Sequence, residues 1–154
     1  MEFLYQDQLI GFPYGHGSYG KAIISLIYAN LSSADLNGVH LEGADLKGVD
    51  LKAASMRGAS MNSINLTGAD LSSAHLEGAD LQLSILVQAD LENVHMENVY
   101  LYGASWLDAD LKGAHLNNAD LDSDIDPMTQ EQLDEVFSCS GANVPLHLTC
   151  NKTG

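Results

Sequence analysis

The stretch that decides the fold runs from Leu31 to Leu121, and its centre, residues 64–83, reads INLTGADLSSAHLEGADLQL. A large apolar residue recurs at every fifth position without interruption, and a small residue, usually Ala, stands two positions before it. The repeating unit is therefore Ala-Asp-Leu followed by two variable residues, with Gly or Asn common in the last place. The large residues are Leu31, Leu36, Leu41, Leu46, Leu51, Met56, Met61, Leu66, Leu71, Leu76, Leu81, Leu86, Leu91, Met96, Leu101, Trp106, Leu111, Leu116 and Leu121.

A period of five excludes the common regular elements, because an amphipathic helix repeats about every 3.6 residues and a half-buried strand every second residue. A fixed short period over so many units indicates a repeat protein. The Ala-Asp-Leu-x-x units resemble those of the pentapeptide-repeat family. The resemblance implies an all-β fold, a right-handed, four-sided parallel β-helix in which each unit forms one side and four units form one coil.

The sequence is consistent with coils of twenty residues, since residues twenty apart then stack at about the spacing of paired strands, 4.8 Å. All four inward columns formed by this register are apolar throughout, and the repeat region is long enough for about five coils. A stack of this length needs its open ends covered, as in other repeat proteins.

Four segments are predicted in the chain. Residues 1–22 hold five of the nine Phe and Tyr residues and are expected to cover the first coil as an aromatic cap. Residues 23–123 form the β-helix, residues 127–137 a short capping α-helix, and residues 138–154 a C-terminal tail.

The capping helix is predicted from local signals at its start. Thr129 and Gln132 have the spacing of a capping box, and Met128 with Leu133 has that of a hydrophobic staple. Leu133, Val136 and Phe137 share one helical face, which suits the open end of the last coil.

The chain is strongly acidic, with a formal net charge of −15. Contacts to phosphates need positive charge, so direct binding of nucleic acid is not expected, and an anionic membrane is disfavoured for the same reason. The charge serves either solubility or binding to a protein partner with a basic surface. The candidate residues for such a partner form one outward column, although Asp is also the consensus residue at this position: Asp50, Asp70, Asp90 and Asp110.

An apolar group interrupts the polar exterior. Ile85, Val87 and Leu107 stand where other coils carry polar residues, Leu83 lies at the adjoining corner, and Tyr100 and Tyr102 face outward on the next side. An exposed apolar patch is either covered or used for binding. The favoured cover is the tail, whose residues 144–148 alternate as Val-Pro-Leu-His-Leu. A second copy of the chain, giving a homodimer, and an external partner are the alternatives.

The histidines at 75, 95 and 115 fall in one outward column, with Glu77 and Glu97 beside them. Such a set has the ligand types of a metal site, but the favoured interpretation is a solvated polar ladder. We therefore predict no metal and no cofactor, with His75, His95 and His115 as the weak candidates. No catalytic residue is predicted either, because no G-x-S-x-G motif occurs and the carboxylates lie on a convex shaft, whereas enzymes prefer concave sites.

Cys139 and Cys150 are the two cysteines of the sequence. They are able to close a twelve-residue loop in an oxidising compartment. Two free thiols in a cytoplasmic protein are the favoured interpretation. Neither a signal peptide nor a transmembrane helix is expected, since no basic segment precedes the first apolar residues and no long apolar run occurs.

Two functions remain open. The first is a non-catalytic scaffold that binds proteins along its rigid shaft. The second follows from the resemblance, since some pentapeptide-repeat proteins are acidic rods that mimic DNA and bind DNA gyrase or topoisomerase IV. The acidic column and the C-terminal helix fit this second hypothesis, whereas the short shaft and the lack of a loop insertion do not.

Overall fold

The structure is a computed structural model that describes residues 24–121, 128–145 and 147–152. The aromatic cap predicted for residues 1–22 lies outside the described residues. In the repeat region a parallel bridge falls at every fifth residue and joins it to the residue twenty positions later, as in the series Asp50, Asp70, Asp90 and Asp110. Four paired sides per twenty-residue coil confirm the predicted β-helical solenoid. The described backbone pairs through isolated bridges, without extended strands.

Each unit turns a corner between its large residue and the next small residue. At one corner the Ala54 N–H donates to the Leu51 carbonyl at 2.9 Å, which closes a β-turn. The third residue of each turn between residues 26 and 119 has a positive φ, for example +53° at Ala53 and +62° at Gly58. Only the left-handed region fits this place in the turn. The need for positive φ explains why Gly and Asn are common in the last place of the unit.

The large and small residues together fill the interior. The inward residues from Leu46 to Leu121 are fully buried, and the Ala residues that precede them are buried as well. Trp106 occupies a Leu position and is also fully buried. Burial of each large side chain contributes about 1.5–3 kcal/mol, so the periodic pattern supplies a continuous apolar core along the shaft.

The consensus Asp orders the turn that follows it. Asp70 Oδ1 accepts hydrogen bonds from the Ser72 backbone N–H at 2.9 Å and from the Ser72 hydroxyl at 2.6 Å. Asn65 makes the same pair of bonds with Thr67, at 3.1 and 2.7 Å. Asp and Asn are the residues that best form such local side chain–backbone bonds. The Asp column therefore has a structural role that does not depend on its charge.

Past the last repeat, the one α-helix of the described residues is α1, Gln130–Glu135. Thr129 is its N-cap, and the predicted capping box with Gln132 is present. The helix is shorter than the predicted span 127–137. Leu133 and Val136 are buried as expected, but Phe137 is 56% exposed. The helix ends before Phe137, because Val136 already has extended backbone angles.

The C-terminal tail continues the repeat after the helix. Ser138 bridges to His115 and Asn143 bridges to Asp120, again five residues apart. Between them Cys139 is buried in the position of the inward Leu, and the Ala142 N–H donates to the Cys139 carbonyl at 3.1 Å to close the turn. Gly141 has the positive φ of a third turn residue. Residues 138–143 thus form one more unit on the last coil.

The structure corrects two expectations about the tail. Val144 and Leu148 pack against the core at the C-terminal end, and the side chains at 83, 85 and 107 stay largely exposed, so the tail does not cover the apolar group. Cys139 and Cys150 form a disulfide, so the interpretation as free thiols is wrong.

In the described part of the chain, no helix has the length and apolar character needed to cross a membrane.

Candidate functional site

The predicted acidic column is assembled as expected. Parallel bridges join Asp50, Asp70, Asp90 and Asp110 in register, one coil apart. Each carboxylate accepts the N–H of the residue two positions on, at distances between 2.9 and 3.1 Å. Since Asn65 makes the same bond, the turn needs an oxygen acceptor at this place but no negative charge. The charge of the column is therefore available for another role.

The apolar group forms one continuous surface around a corner of the shaft, which we call the corner patch. Five of its side chains are between 43% and 56% exposed, and Val87 is half-buried. Single exposed apolar residues are ordinary on protein surfaces, whereas a contiguous group usually marks an interaction site. The members of the corner patch are Leu83, Ile85, Val87, Tyr100, Tyr102 and Leu107.

Leu83 connects the two sides of the corner patch. It occupies the third position of its turn with φ +57°, an uncommon conformation for a branched residue. Its side chain lies over Gly103, one coil further on, where a Cβ would clash with Leu83 Cδ2. A glycine at position 103 therefore makes room for Leu83, which bridges the side bearing Tyr100 and Tyr102 and the side bearing Ile85 and Val87.

The corner patch lowers the stability of the shaft in two ways. Ile85 and Tyr100 stand at bridge positions where Asp80 and Asp90 accept a turn N–H. The Ile and Tyr side chains offer no carboxylate or amide oxygen for that bond, which elsewhere contributes about 0.5–1.5 kcal/mol. Both also expose apolar surface to water. Residues that break the local rules of a fold at a cost tend to be functional.

A second surface feature is the histidine ladder, which we define as His75, His95, His115 and the carboxylates Glu77 and Glu97. The three imidazoles are stacked, with ring centroids 4.7 Å apart for the first pair and 4.6 Å for the second. Phe137 lies against His115 at the end of the stack, with ring centroids 4.7 Å apart and ring planes tilted by 38°. Phe137 thus extends the ladder on the surface instead of entering the core.

Arg57 contacts both His75 and Glu77 at one end of the ladder. Its Nη2 lies 2.9 Å from His75 Nδ1 and donates to Glu77 Oε1 at 3.1 Å. Burial works to raise the pKa of Glu77, but hydrogen bonds from its own backbone N–H, from Arg57 and from His75 outweigh it, and the pKa is lowered. The Glu77 carboxylate thus has a fixed cationic partner.

Glu97 has a different environment. Its Oε1 lies 3.8 Å from both His95 Nδ1 and His115 Nδ1, beyond hydrogen-bond distance. Its Oε2, like that of Glu77, is shielded from solvent and has no hydrogen-bond partner among the described residues. The ladder therefore brings together all three histidines that the sequence grouped, but its two carboxylates are not equivalent.

Comparison with solved structures supports the architecture. A pentapeptide repeat protein from the thylakoid lumen of Arabidopsis thaliana is 29% identical over 78% of this chain and 81% of its own, with a TM-score of 0.61. The pentapeptide repeat protein Rfr23 from the cyanobacterium Cyanothece 51142 is 29% identical over 60% of each chain, with a TM-score of 0.57. QnrB1, a plasmid-mediated fluoroquinolone resistance protein, is 16% identical with a TM-score of 0.36, too distant to bear on function.

No curated protein matches the chain. The family model for pentapeptide repeats matches residues 24–62, 64–101 and 89–123, in eight copies. These matches cover more than half of the chain and lie in the region joined by the parallel bridges. The chain therefore belongs to the pentapeptide-repeat family.

Proposed function

We propose that this protein is a non-catalytic scaffold that binds another protein through the corner patch. The observation that carries the proposal is the exposure of five large side chains together on one corner of the shaft. A soluble protein that exposes a contiguous apolar group at a cost in stability gains by covering it with a partner. Tyr100 and Tyr102 strengthen the proposal, because aromatic residues are enriched at binding hot spots.

The partner that fits this surface has an apolar centre and a basic rim. The acidic column lies on the side next to Ile85 and Val87, so Asp90 and Asp110 border the corner patch. Complementary charge around an apolar centre speeds association and fixes orientation. A second copy of this chain fits less well, because each copy carries a formal charge of −15.

Val87→Lys tests the corner patch. Lys47 already occupies the same register position two coils earlier, so a lysine there is compatible with the fold. We expect Val87→Lys to fold normally and to lose most partner capture from native extract, whereas Thr67→Lys, in the same column one coil away, retains it. Capture is compared for the wild type and both variants at low and high salt, and the captured protein is identified.

Three results would count against this surface or this partner. Equal capture by the wild type and Val87→Lys would remove the corner patch from the binding surface. Capture of an acidic partner that resists high salt would contradict the basic rim. A wild type that runs at twice the chain mass in light scattering, with Val87→Lys at one chain mass, would show that a second copy covers the patch.

A second candidate function is mimicry of DNA toward gyrase or topoisomerase IV. The observation that favours it is the acidic column, which presents carboxylates in strict register along the shaft. A protein that binds DNA is basic where it contacts phosphate, so a ladder of negative charge is able to compete for the same surface.

The variant Asp70→Asn/Asp90→Asn/Asp110→Asn separates the charge of the column from its structural role. Asn keeps the oxygen that accepts the turn N–H, so stability should be unchanged or slightly higher as repulsion is relieved. If the column binds a basic partner, capture should weaken. The control Asp70→Ala loses the acceptor and should cost about 0.5–1.5 kcal/mol in urea unfolding. Absence of gyrase inhibition by the wild type at micromolar concentration in a supercoiling assay would remove gyrase from consideration.

We further propose that the shaft comprises about five coils and that α1 closes its C-terminal end. Gln132 Nε2 donates to the carbonyls of Trp106 and Ala109, both at 3.0 Å, near the C-terminal end of the repeat region. The backbone carbonyl of Glu135 accepts a hydrogen bond from the Gly113 N–H at 2.9 Å. Leu133 is buried against the core. The helix thus meets both the polar and the apolar groups that an open coil end would expose.

Deletion of residues 127–154 tests this closure. The last coil would lose its cover, and we expect aggregation or end-to-end association in light scattering, together with a lower unfolding midpoint. Glu131→Ala, a change on the exposed face of α1, is the control and should leave both properties unchanged. A truncated protein that stays monodisperse and equally stable would contradict the capping role.

The cytoplasmic location remains a proposal. The Cys139–Cys150 disulfide counts against it, because disulfides persist mainly in oxidising compartments. Absence of enzymatic activity is likewise proposed, and it rests on the convex shaft and on the use in turns of most Asp side chains that the structure describes.

A further inference from the structure

The geometry of the histidine ladder points to a binding site for a divalent transition-metal ion such as Zn²⁺, formed by His95, Glu97 and His115. One carboxylate oxygen, Glu97 Oε1, lies at the same distance, 3.8 Å, from the Nδ1 atoms of both imidazoles. The ligand atoms of the three residues all lie within 4.8 Å of one another. Two imidazoles and one carboxylate are a common ligand set for Zn²⁺ sites that keep a position open for water.

The environment of Glu97 is the main support for the site. Glu77, one coil earlier, receives the Arg57 guanidinium at 3.1 Å. Glu97 occupies the equivalent position, but its ion-pair partners within the described residues are the two histidines alone. In both glutamates Oε2 is shielded from solvent without a hydrogen-bond partner, which is costly, so the missing guanidinium is what distinguishes Glu97. A bound cation would supply for Glu97 the positive charge that Arg57 supplies for Glu77.

The ligand atoms, which lie within 4.8 Å of one another, must move closer together to share one ion. With Zn–N bonds of about 2.0–2.1 Å and Zn–O bonds of about 2.0–2.2 Å, two ligand atoms on a tetrahedral ion lie roughly 3.4 Å apart. The separations of 3.8 Å must therefore shorten by a few tenths of an ångström. The rings, now 20° from parallel, must also tilt towards each other. Both side chains reach solvent, with exposures of 34% and 26%, so this rotation is open to them.

The first step of the ladder, formed by His75, Glu77 and His95, is a poorer metal site, although its ligand types are the same. Arg57 Nη2 lies 2.9 Å from His75 Nδ1, so the nitrogen that would bind a metal already faces a guanidinium. A metal ion at His75 and Glu77 would be repelled by this fixed positive charge. The site is therefore assigned to the second step, and His75 serves as an internal control.

Titration calorimetry of the full chain with Zn²⁺ tests the inference, with Co²⁺ absorption reporting the ligand geometry. We expect one Zn²⁺ per chain for the wild type and a tetrahedral Co²⁺ spectrum. Glu97→Gln and His115→Gln should each weaken Zn²⁺ binding by about tenfold or more, since even partners outside the ligand shell cost 10–100-fold. His75→Gln should retain the wild-type affinity within about twofold.

Two results would overturn the site. One is no uptake of Zn²⁺ by the wild type at millimolar concentration. The other is uptake that Glu97→Gln leaves unchanged, since the binding would then lie elsewhere on the acidic surface. Far-UV circular dichroism verifies that each variant is folded. If His115→Gln does not fold, Glu97→Gln decides alone, because this substitution keeps the size of the side chain.

Discussion

The hydrogen bonds between residues twenty apart in the chain are the constraint on which the rest of the structure depends. In the unit around Leu46, the Leu46 N–H donates to the carbonyl of Asn65 at 2.8 Å, and the Gly48 N–H donates to Thr67 at 2.9 Å. The Asp45 N–H donates to the carbonyl of Ile24 on the preceding coil. The Val49 N–H donates to the carbonyl of Leu46 and so closes the turn. Four of the five N–H groups in the unit thus bond to the backbone. The twenty-residue pairing thus leaves few backbone N–H groups of the wall without a partner.

This register explains both the uniform interior and the variable exterior. Every large residue faces its equivalent on the next coil, so an apolar residue is needed at each inward position. Outward positions carry a weaker requirement, an oxygen acceptor before the turn, which Asp70 and Asn65 both meet. Where that requirement is dropped, as at Ile85 and Tyr100, the surface changes character. The corner patch and the histidine ladder are therefore local departures from the repeat that leave its core intact.

Much of the fold was predictable because periodicity reports burial directly. The inward residues, the turn positions and the capping box at Thr129 and Gln132 all follow from spacing. The role of Asp as a turn acceptor was missed, because charge drew the interpretation toward partners. The unit at residues 138–143 was also missed, although Ser140-Gly141-Ala142-Asn143 resembles the end of a repeat unit. Because Cys139 stands in place of the inward Leu, the repeat pattern was not recognised at this unit. The proximity of Cys139 to Cys150 was missed for the same reason.

Spacing in the sequence was enough to predict which site residues share a column, but not which of their side chains touch. Spacing placed His75, His95 and His115 in one column, but it could not show that Arg57 reaches His75 or that Glu97 lies between two imidazoles. These contacts depend on side-chain rotamers, which a period of five does not specify. The tail was misplaced for a related reason, since its apolar alternation suited either the corner patch or the open end of the shaft. In the structure the tail is buried at the open end, where Val144 and Leu148 pack against the core.

Native-state hydrogen exchange measured residue by residue tests the central claim most directly, namely that a twenty-residue register holds the chain. The account predicts a period of five in protection over residues 46–101, with strong protection at the inward residue, the third turn residue, the small residue and the bridge residue. The second turn residue should exchange fastest in each unit, because a side-chain oxygen is its partner where it has one, as for Ser72. Protection with a period of two or of about 3.6 residues, or uniform fast exchange through this region, would contradict the account.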